Sequence, residues 1–257
     1  MGTRYGMWRP ATLRGLCAGL LLLLSALPAG SQDSAIDYDR ARAVMIQMIQ
    51  IEALLASDLT GIEQIDARIL EAMAEVPRHA FVPSELRPYA YGNHPLPVGH
   101  AQNLAAPFLV ALMTHLADPK PGDVIFETGT GAGYHAAVLA HLVDEVYSVE
   151  VIEPLAMSAT ATLRRLGYDR VSAKAGDGYY GWSAKGPFDA IIVKEALDHV
   201  PSPLLDQLKP GGRLVIPLGS DFNGQYLTLV EKSLDGAIRK RRVLPVRFSV
   251  LQGGERT

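Results

Sequence analysis

The chain has 257 residues, enough for one large domain or a domain with an appendage, and its 48% hydrophobic content is ordinary for a globular protein. A formal net charge of -3 offers no electrostatic footprint for a nucleic-acid partner. Cys17 is the only cysteine, which excludes an intrachain disulfide and a thiolate metal cluster.

The N-terminus is unlike the rest. Arg4, Arg9 and Arg14 precede an apolar run over 16–27, and Pro28-Ala29-Gly30-Ser31 follows it. A basic start, an apolar stretch of about a dozen residues and small residues after it are the parts of a signal peptide. The run is too short to span a bilayer comfortably, so no stable membrane span is expected. Residues 1–31 are therefore read as a signal peptide and the mature chain as exported or periplasmic. A retained signal or a misassigned start, leaving the chain cytoplasmic, is the alternative. Cys17 lies inside the run and not after it, which argues against lipid attachment.

Residues 32–88 are read as an N-terminal helical appendage. Val44, Met48, Ile51 and Leu55 recur at helical spacing and predict a core-facing helix over 36–59. Ile62, Ile65, Ile69 and Met73 predict a second one after Thr60-Gly61. Pro77, Pro83 and Pro88 make 78–87 a short irregular segment. Residues 89–107, YAYGNHPLPVGHAQNLAAP, have little periodicity and read as a long loop. A loop of that length is functional or disordered, and its aromatic and apolar content argues against disorder. A helix over 108–117 follows, stopped by Pro119 and Pro121.

The rest of the chain is organised around 123–150, DVIFETGTGAGYHAAVLAHLVDEVYSVE. It reads as strand, glycine turn, helix, strand and acid, half of a nucleotide-binding α/β fold. Glycines let a ligand come against bare backbone, and the helix N-terminus offers unpaired N–H groups. The spacing GTGAG is not the one usual for dinucleotides, so no pyrophosphate need be cradled. A nucleoside without phosphates, such as S-adenosylmethionine, fits better, and Glu150, about 20 residues beyond the turn, suits a ribose diol. Further on, a helix is expected over 154–166, strands over 171–175 and 188–193, a short helix over 204–208 and a strand over 213–217. Strands alternating with helices imply a mainly parallel sheet with helices on both faces, placed in a domain over 89–257. Strands over 225–232 and 238–248, joined by Asp235-Gly236, add an antiparallel hairpin. The tail 252–257 is polar and expected to fray.

The succession VPRHAFVPSEL, PLPVGHAQNLAAP, VIFETGTGAGYHAAVLAHLV, YSVE, GDGYYGW, PFDAIIV and LKPGGRLVIPLG resembles the protein-L-isoaspartate O-methyltransferase family over most of the mature chain. The resemblance implies a Rossmann-like α/β methyltransferase fold, S-adenosylmethionine as methyl donor, and an isoaspartyl carboxylate of damaged protein as acceptor. It carries Glu127, Gly129, Gly131 and Gly133 onto the donor motif, Glu150 onto the ribose acid, and Asp177 with Gly178 onto the adenine side. By itself, Asp177 reads as a turn residue. A carboxylate with pKa about 4 is already ionised at neutral pH. No general base is therefore needed, and catalysis is alignment and water exclusion. No catalytic residue is assigned.

The departures fall on the acceptor side, for which His100, Asn103, Leu104, Ala105 and Val250 are the candidates. The family's loop reads like GQTIS followed by Gln-Pro. Here the serine position is Ala105 and the first glycine is Ala101. After the fourth strand the family tends to small residues and proline, whereas this chain has Lys194-Glu195-Ala196-Leu197. A relative methylating a different acceptor, or an exported pseudoenzyme or binding protein, is the alternative. A monomer is favoured. No metal site is expected, since His135 and His141 share no helix face. The run Arg239-Lys240-Arg241-Arg242 reads as a solvated sheet edge, and Tyr179, Tyr180 and Trp182 as adenine-pocket or core residues.

Overall fold

In this computed structural model the described residues are 36–220 and 222–253. The signal peptide expected at 1–31 and the end of the polar tail lie outside them. Among the described residues no helix is long and apolar enough to cross a membrane.

The architecture follows the strand runs. Strands β3 (Val124–Thr128), β4 (Glu145–Glu150), β5 (Val171–Ala175), β6 (Phe188–Ile192) and β7 (Leu208–Ser220) pair in parallel. The antiparallel strands β8 (Gly224–Lys232) and β9 (Ile238–Val246) complete a seven-stranded sheet of order β5-β4-β3-β6-β7-β8-β9. Both faces are covered, so the central strands are nearly continuous apolar runs. Successive residues serve opposite faces: Ile125 and Val215 join one core cluster, Phe126, Leu214 and Ile216 the other. Helices α4 (Pro107–Ala117), α5 (Tyr134–Ala140), α6 (Glu153–Arg165) and α7 (Ser202–Asp206) connect the strands. The basic run Arg239–Arg242 is exposed on β9, the outermost strand, where such charge blunts edge-to-edge pairing.

At the N-terminus, α1 (Tyr38–Leu55), α2 (Ser57–Thr60) and α3 (Ala67–Glu75) precede the sheet. Met45, Ile49, Ile69 and Met73 belong to the same core cluster as Val110, Ile125 and Leu139, so these helices share one core with the sheet. The expected inner face of α1 is corrected. Met45, Ile49 and Ala53 are buried, while Val44, Met48, Ile51 and Leu55 are 50%, 37%, 49% and 75% exposed. The helix is apolar on two sides, and periodicity alone does not say which side faces inward. The second helix also starts later than expected. Asp66 caps it by accepting from the Arg68 N–H at 2.8 Å, which leaves Ile62 and Ile65 ahead of the first turn. The segment expected to be irregular forms two 3₁₀ turns, Arg78–Phe81 and Ser84–Tyr89.

The long loop over 89–107 contains an unpredicted hairpin. Strands β1 (Leu96–Gly99) and β2 (Gln102–Leu104) pair antiparallel. His100 and Ala101 form the turn with φ of 51° and 55°. That turn geometry favours Asn-Gly, and His-Ala carries no such signal. At the other end of the chain, 247–252 returns across the sheet. The Ala196 N–H donates to the Ser249 carbonyl at 2.8 Å, and the Leu251 N–H donates to the Ala196 carbonyl at 3.0 Å. Gln225 fastens this strap, its Oε1 accepting from the Phe248 N–H at 2.6 Å and its Nε2 donating to the Phe248 carbonyl at 3.1 Å.

Candidate functional site

In an open parallel sheet, ligands bind outside the carboxyl ends of the strands. A cavity of about 390 Å³ lies there, bordered by the glycine turn after β3, Glu150 at the end of β4 and Gly178 after β5. Lys194 and Glu195 after β6, the loop 102–106 and the strap 247–252 complete its wall. The volume suits a small-molecule ligand.

The turn needs glycine. Gly129, Gly131 and Gly133 have φ of 63°, 57° and 93°, a region that other residues enter only at a cost. Gly178 is needed for space, since a Cβ there would stand 2.7 Å from Cγ2 of Thr128. Two backbone donors hold the Glu150 carboxylate. The Gly131 N–H reaches Oε2 at 2.9 Å and the Ile152 N–H reaches Oε1 at 3.1 Å. A carboxylate oxygen accepts more than one hydrogen bond, so Glu150 retains acceptor capacity on the cavity side.

Glu127 stands elsewhere. It is fully buried on β3 and not among the cavity-lining residues. Its Oε1 accepts from the Ser148 hydroxyl at 2.8 Å, and its Oε2 pairs with Lys194 Nζ at 2.8 Å. The next residue along, Glu195, does reach the cavity. Thr128 Oγ1 donates to its Oε2 at 2.5 Å. The Glu195 side chain is half-buried on the cavity wall, and desolvation there pushes its pKa up to about 7. The Thr128 hydrogen bond and the Lys194 charge oppose that rise, and the charges of Glu150 and Glu127 add to it. His135, also on the wall, meets Thr114 Oγ1 at 2.8 Å. Burial first, then the Lys194 charge, holds its pKa well below 6.5, so it is neutral.

The other candidates divide. Gly129, Gly131, Glu150 and Gly178 line the cavity, as do Asn103, Leu104, Ala105 and Val250. Gly133 caps α5 behind the turn. Asp177 caps the 3₁₀ turn Gly178–Tyr180 by accepting from the Tyr179 N–H at 2.9 Å. Tyr179 and Trp182 pack against the core cluster under α7, and Tyr180 is exposed. His100 is exposed at the hairpin tip, off the cavity wall. Among the described residues no group of three or more His, Cys, Asp or Glu is placed to hold a metal.

Arg78, behind the cavity wall, is a supporting residue that sequence reasoning missed. It is fully buried, donates from Nε to the Ala90 carbonyl at 2.7 Å and from an Nη to the Ala105 carbonyl at 2.7 Å. Its guanidinium lies 4.8 Å from the centre of the Tyr134 ring. It therefore ties the loop carrying Ala105 to the helix that follows the glycine turn. Its only signal was its place in the block VPRHAFVPSEL.

Backbone-held carboxylate, bare glycine backbone and cavity size together fit a nucleoside donor. A family model described as protein-L-isoaspartate(D-aspartate) O-methyltransferase matches residues 50–256. Over 212 residues, covering 82% of each chain, the protein is 53% identical to protein-L-isoaspartate O-methyltransferase 1 of Cupriavidus necator. A solved protein-L-isoaspartate O-methyltransferase superposes with a TM-score of 0.71 at 27% identity, over 82% of this chain and 66% of that one. A putative protein-L-isoaspartate O-methyltransferase from Plasmodium falciparum, solved with S-adenosyl-L-homocysteine, shares the fold with a TM-score of 0.66 at 22% identity. That match covers 84% of this chain and 98% of the other.

Proposed function

The chain belongs to the protein-L-isoaspartate(D-aspartate) O-methyltransferase family, and from that premise we propose how its cavity performs the transfer. The enzyme methylates a carboxylate of isoaspartyl residues in damaged protein, with S-adenosylmethionine as donor. The observation that carries the assignment of the donor side is Glu150, held by two backbone N–H groups beside the glycine turn and facing the cavity. Glu150 takes the ribose hydroxyls through charge-assisted hydrogen bonds. Gly131 admits the donor against backbone, and Gly178 borders its adenine end. The donor supplies an electrophilic methyl group.

The chain's own work is positioning. The acceptor carboxylate arrives ionised, so no residue has to take a proton, and neutral His135 is wall and not base. Arg78 fixes the Ala105 carbonyl, and with it the loop that presents the acceptor. Gln225 fixes the strap over 247–252, which closes the opposite wall against water. Ala105 offers no hydroxyl, so orientation of the acceptor falls to the Asn103 amide and the loop backbone. The test is transfer of labelled methyl to an isoaspartyl peptide. No transfer at high enzyme concentration sinks the assignment.

A different acceptor is the second reading, favoured by Ala105 and by Lys194-Glu195 on the cavity wall. Isoaspartyl activity that appears only in Ala105→Ser would support it. Export is inferred from the composition of residues 1–31, and N-terminal sequencing of the exported fraction tests it. A mature start near Gln32 is the expected result.

A further inference from the structure

Strand order sets the direction of any ligand lying across this cavity. Gly178 follows β5, Glu150 ends β4, the glycine turn follows β3 and Glu195 follows β6, in the sheet order β5-β4-β3-β6. With adenine toward Gly178 and ribose at Glu150, the remaining half of the donor points at β3 and β6. That half is the cationic one, with a sulfonium and an α-ammonium group. A carboxylate is therefore wanted at the β3–β6 end, and the sequence places two acids near it.

Glu127 is not available. It is fully buried, its charge is matched by Lys194 Nζ at 2.8 Å, and it does not line the cavity. Glu195 is available. Its carboxyl lies over Gly129, so close that a Cβ at that glycine would stand 2.1 Å from Oε1. The Thr128 hydroxyl donates to Oε2, which fixes the carboxyl's orientation. The charged groups around Glu195 are Lys194 beside it, Glu127 on β3, Glu150 on β4 and Arg247 in the strap. Lys194 already serves Glu127, and Glu150 repels a second negative charge. An acid so placed is only partly ionised at neutral pH, and an arriving cation favours its charged form.

We propose that Glu195 binds the cationic methionine half of S-adenosylmethionine, a role its buried neighbour Glu127 cannot take. The proposal rests on the donor reading above. Binding the cation draws Glu195 into its ionised form, so a proton leaves as the donor enters. The raised pKa gives the sign. Below about 7 Glu195 is protonated, so donor affinity climbs as pH rises toward 7. The donor's own ammonium, with an ordinary pKa of about 8, stays mostly protonated over that range.

Calorimetry of the full chain with two ligands tests this without turnover. S-adenosylmethionine carries the cationic half, whereas 5′-methylthioadenosine keeps adenine, ribose and sulfur but lacks the amino acid. From about pH 5.5 to about pH 7, wild-type affinity for S-adenosylmethionine should rise about tenfold, following the ionised fraction of Glu195. Titrations in buffers of different ionisation enthalpy should report proton release. Glu195→Gln should bind S-adenosylmethionine about tenfold more weakly near pH 7, lose both pH dependence and proton release, and bind 5′-methylthioadenosine as wild type does. Glu195→Asp should restore part of the pH dependence. Unchanged binding of S-adenosylmethionine by Glu195→Gln, or an equal loss for both ligands, overturns the role of Glu195 alone. Failure of wild type to bind either ligand overturns the donor reading and this role with it.

Discussion

Arg78 shows what a single buried cation does for a site it does not line. Its two carbonyl acceptors, Ala90 and Ala105, lie on segments with no regular structure to hold them. Hydrogen bonds to a charged donor are worth more than neutral ones. Arg78→Met should lower stability by about 3 kcal/mol in denaturant titration and raise KM for an isoaspartyl peptide more than it lowers kcat. An unchanged KM would remove Arg78 from the site. The position of Glu150 at the cavity could be read from sequence, because an acid ending the second strand comes to the carboxyl end of the sheet. Glu127 could be placed on its strand but not relative to the cavity, because its burial depends on Lys194, 67 residues away in the chain. The hairpin turn was hidden for a similar reason. His100 and Ala101 sit at positive φ without being turn formers. Ala101→Gly should therefore stabilise the protein by about 1 kcal/mol, measurable as a raised melting temperature.

At the level of elements, legibility followed burial. Strands β3 and β6 are covered on both faces, so their apolar runs were unmistakable and their placement matched within a residue or two. The terminal hairpin announced itself through Asp235-Gly236. Helix α1 was legible as a helix but not in its orientation, since two apolar stripes run along it. Packing chose Met45, Ile49 and Ala53, the set that meets α3 and α4. The choice makes a paired prediction. Ile49→Ala should cost about 3 kcal/mol in unfolding free energy, because it leaves a cavity. Ile51→Ala, on the exposed stripe, should change it by less than about 0.5 kcal/mol. Equal costs would mean that the outer stripe is covered in solution.

At the scale of the whole molecule, Glu195 is an acid whose placement works against the stability of the fold that holds it. Desolvation of a carboxyl is expensive for the charged form, and Glu195 is half-buried on the cavity wall, within reach of the charges of Glu150 and Glu127. Its folded pKa of about 7 lies above its ordinary value of 4.5. The folded state thus holds a proton that the unfolded chain gives up between those values. Its contribution is fully present below about 4.5 and is lost as pH rises through about 7. His135 acts in the opposite sense. Its folded pKa is depressed, so acidification below 6.5 favours the unfolded chain, which can bind that proton. Glu195→Gln keeps an acceptor for Thr128 without a charge, and should melt above wild type near pH 8, with the gap narrowing toward pH 5. His135 is common to both proteins and drops out of the difference. S-adenosylmethionine should close the same gap at pH 8, because the cation stabilises the ionised Glu195 that wild type alone possesses. A gap that persists at saturating donor would show that Glu195 is strained by the fold and unrelieved by the ligand, and the two thermal series together decide between storage of binding energy and simple frustration.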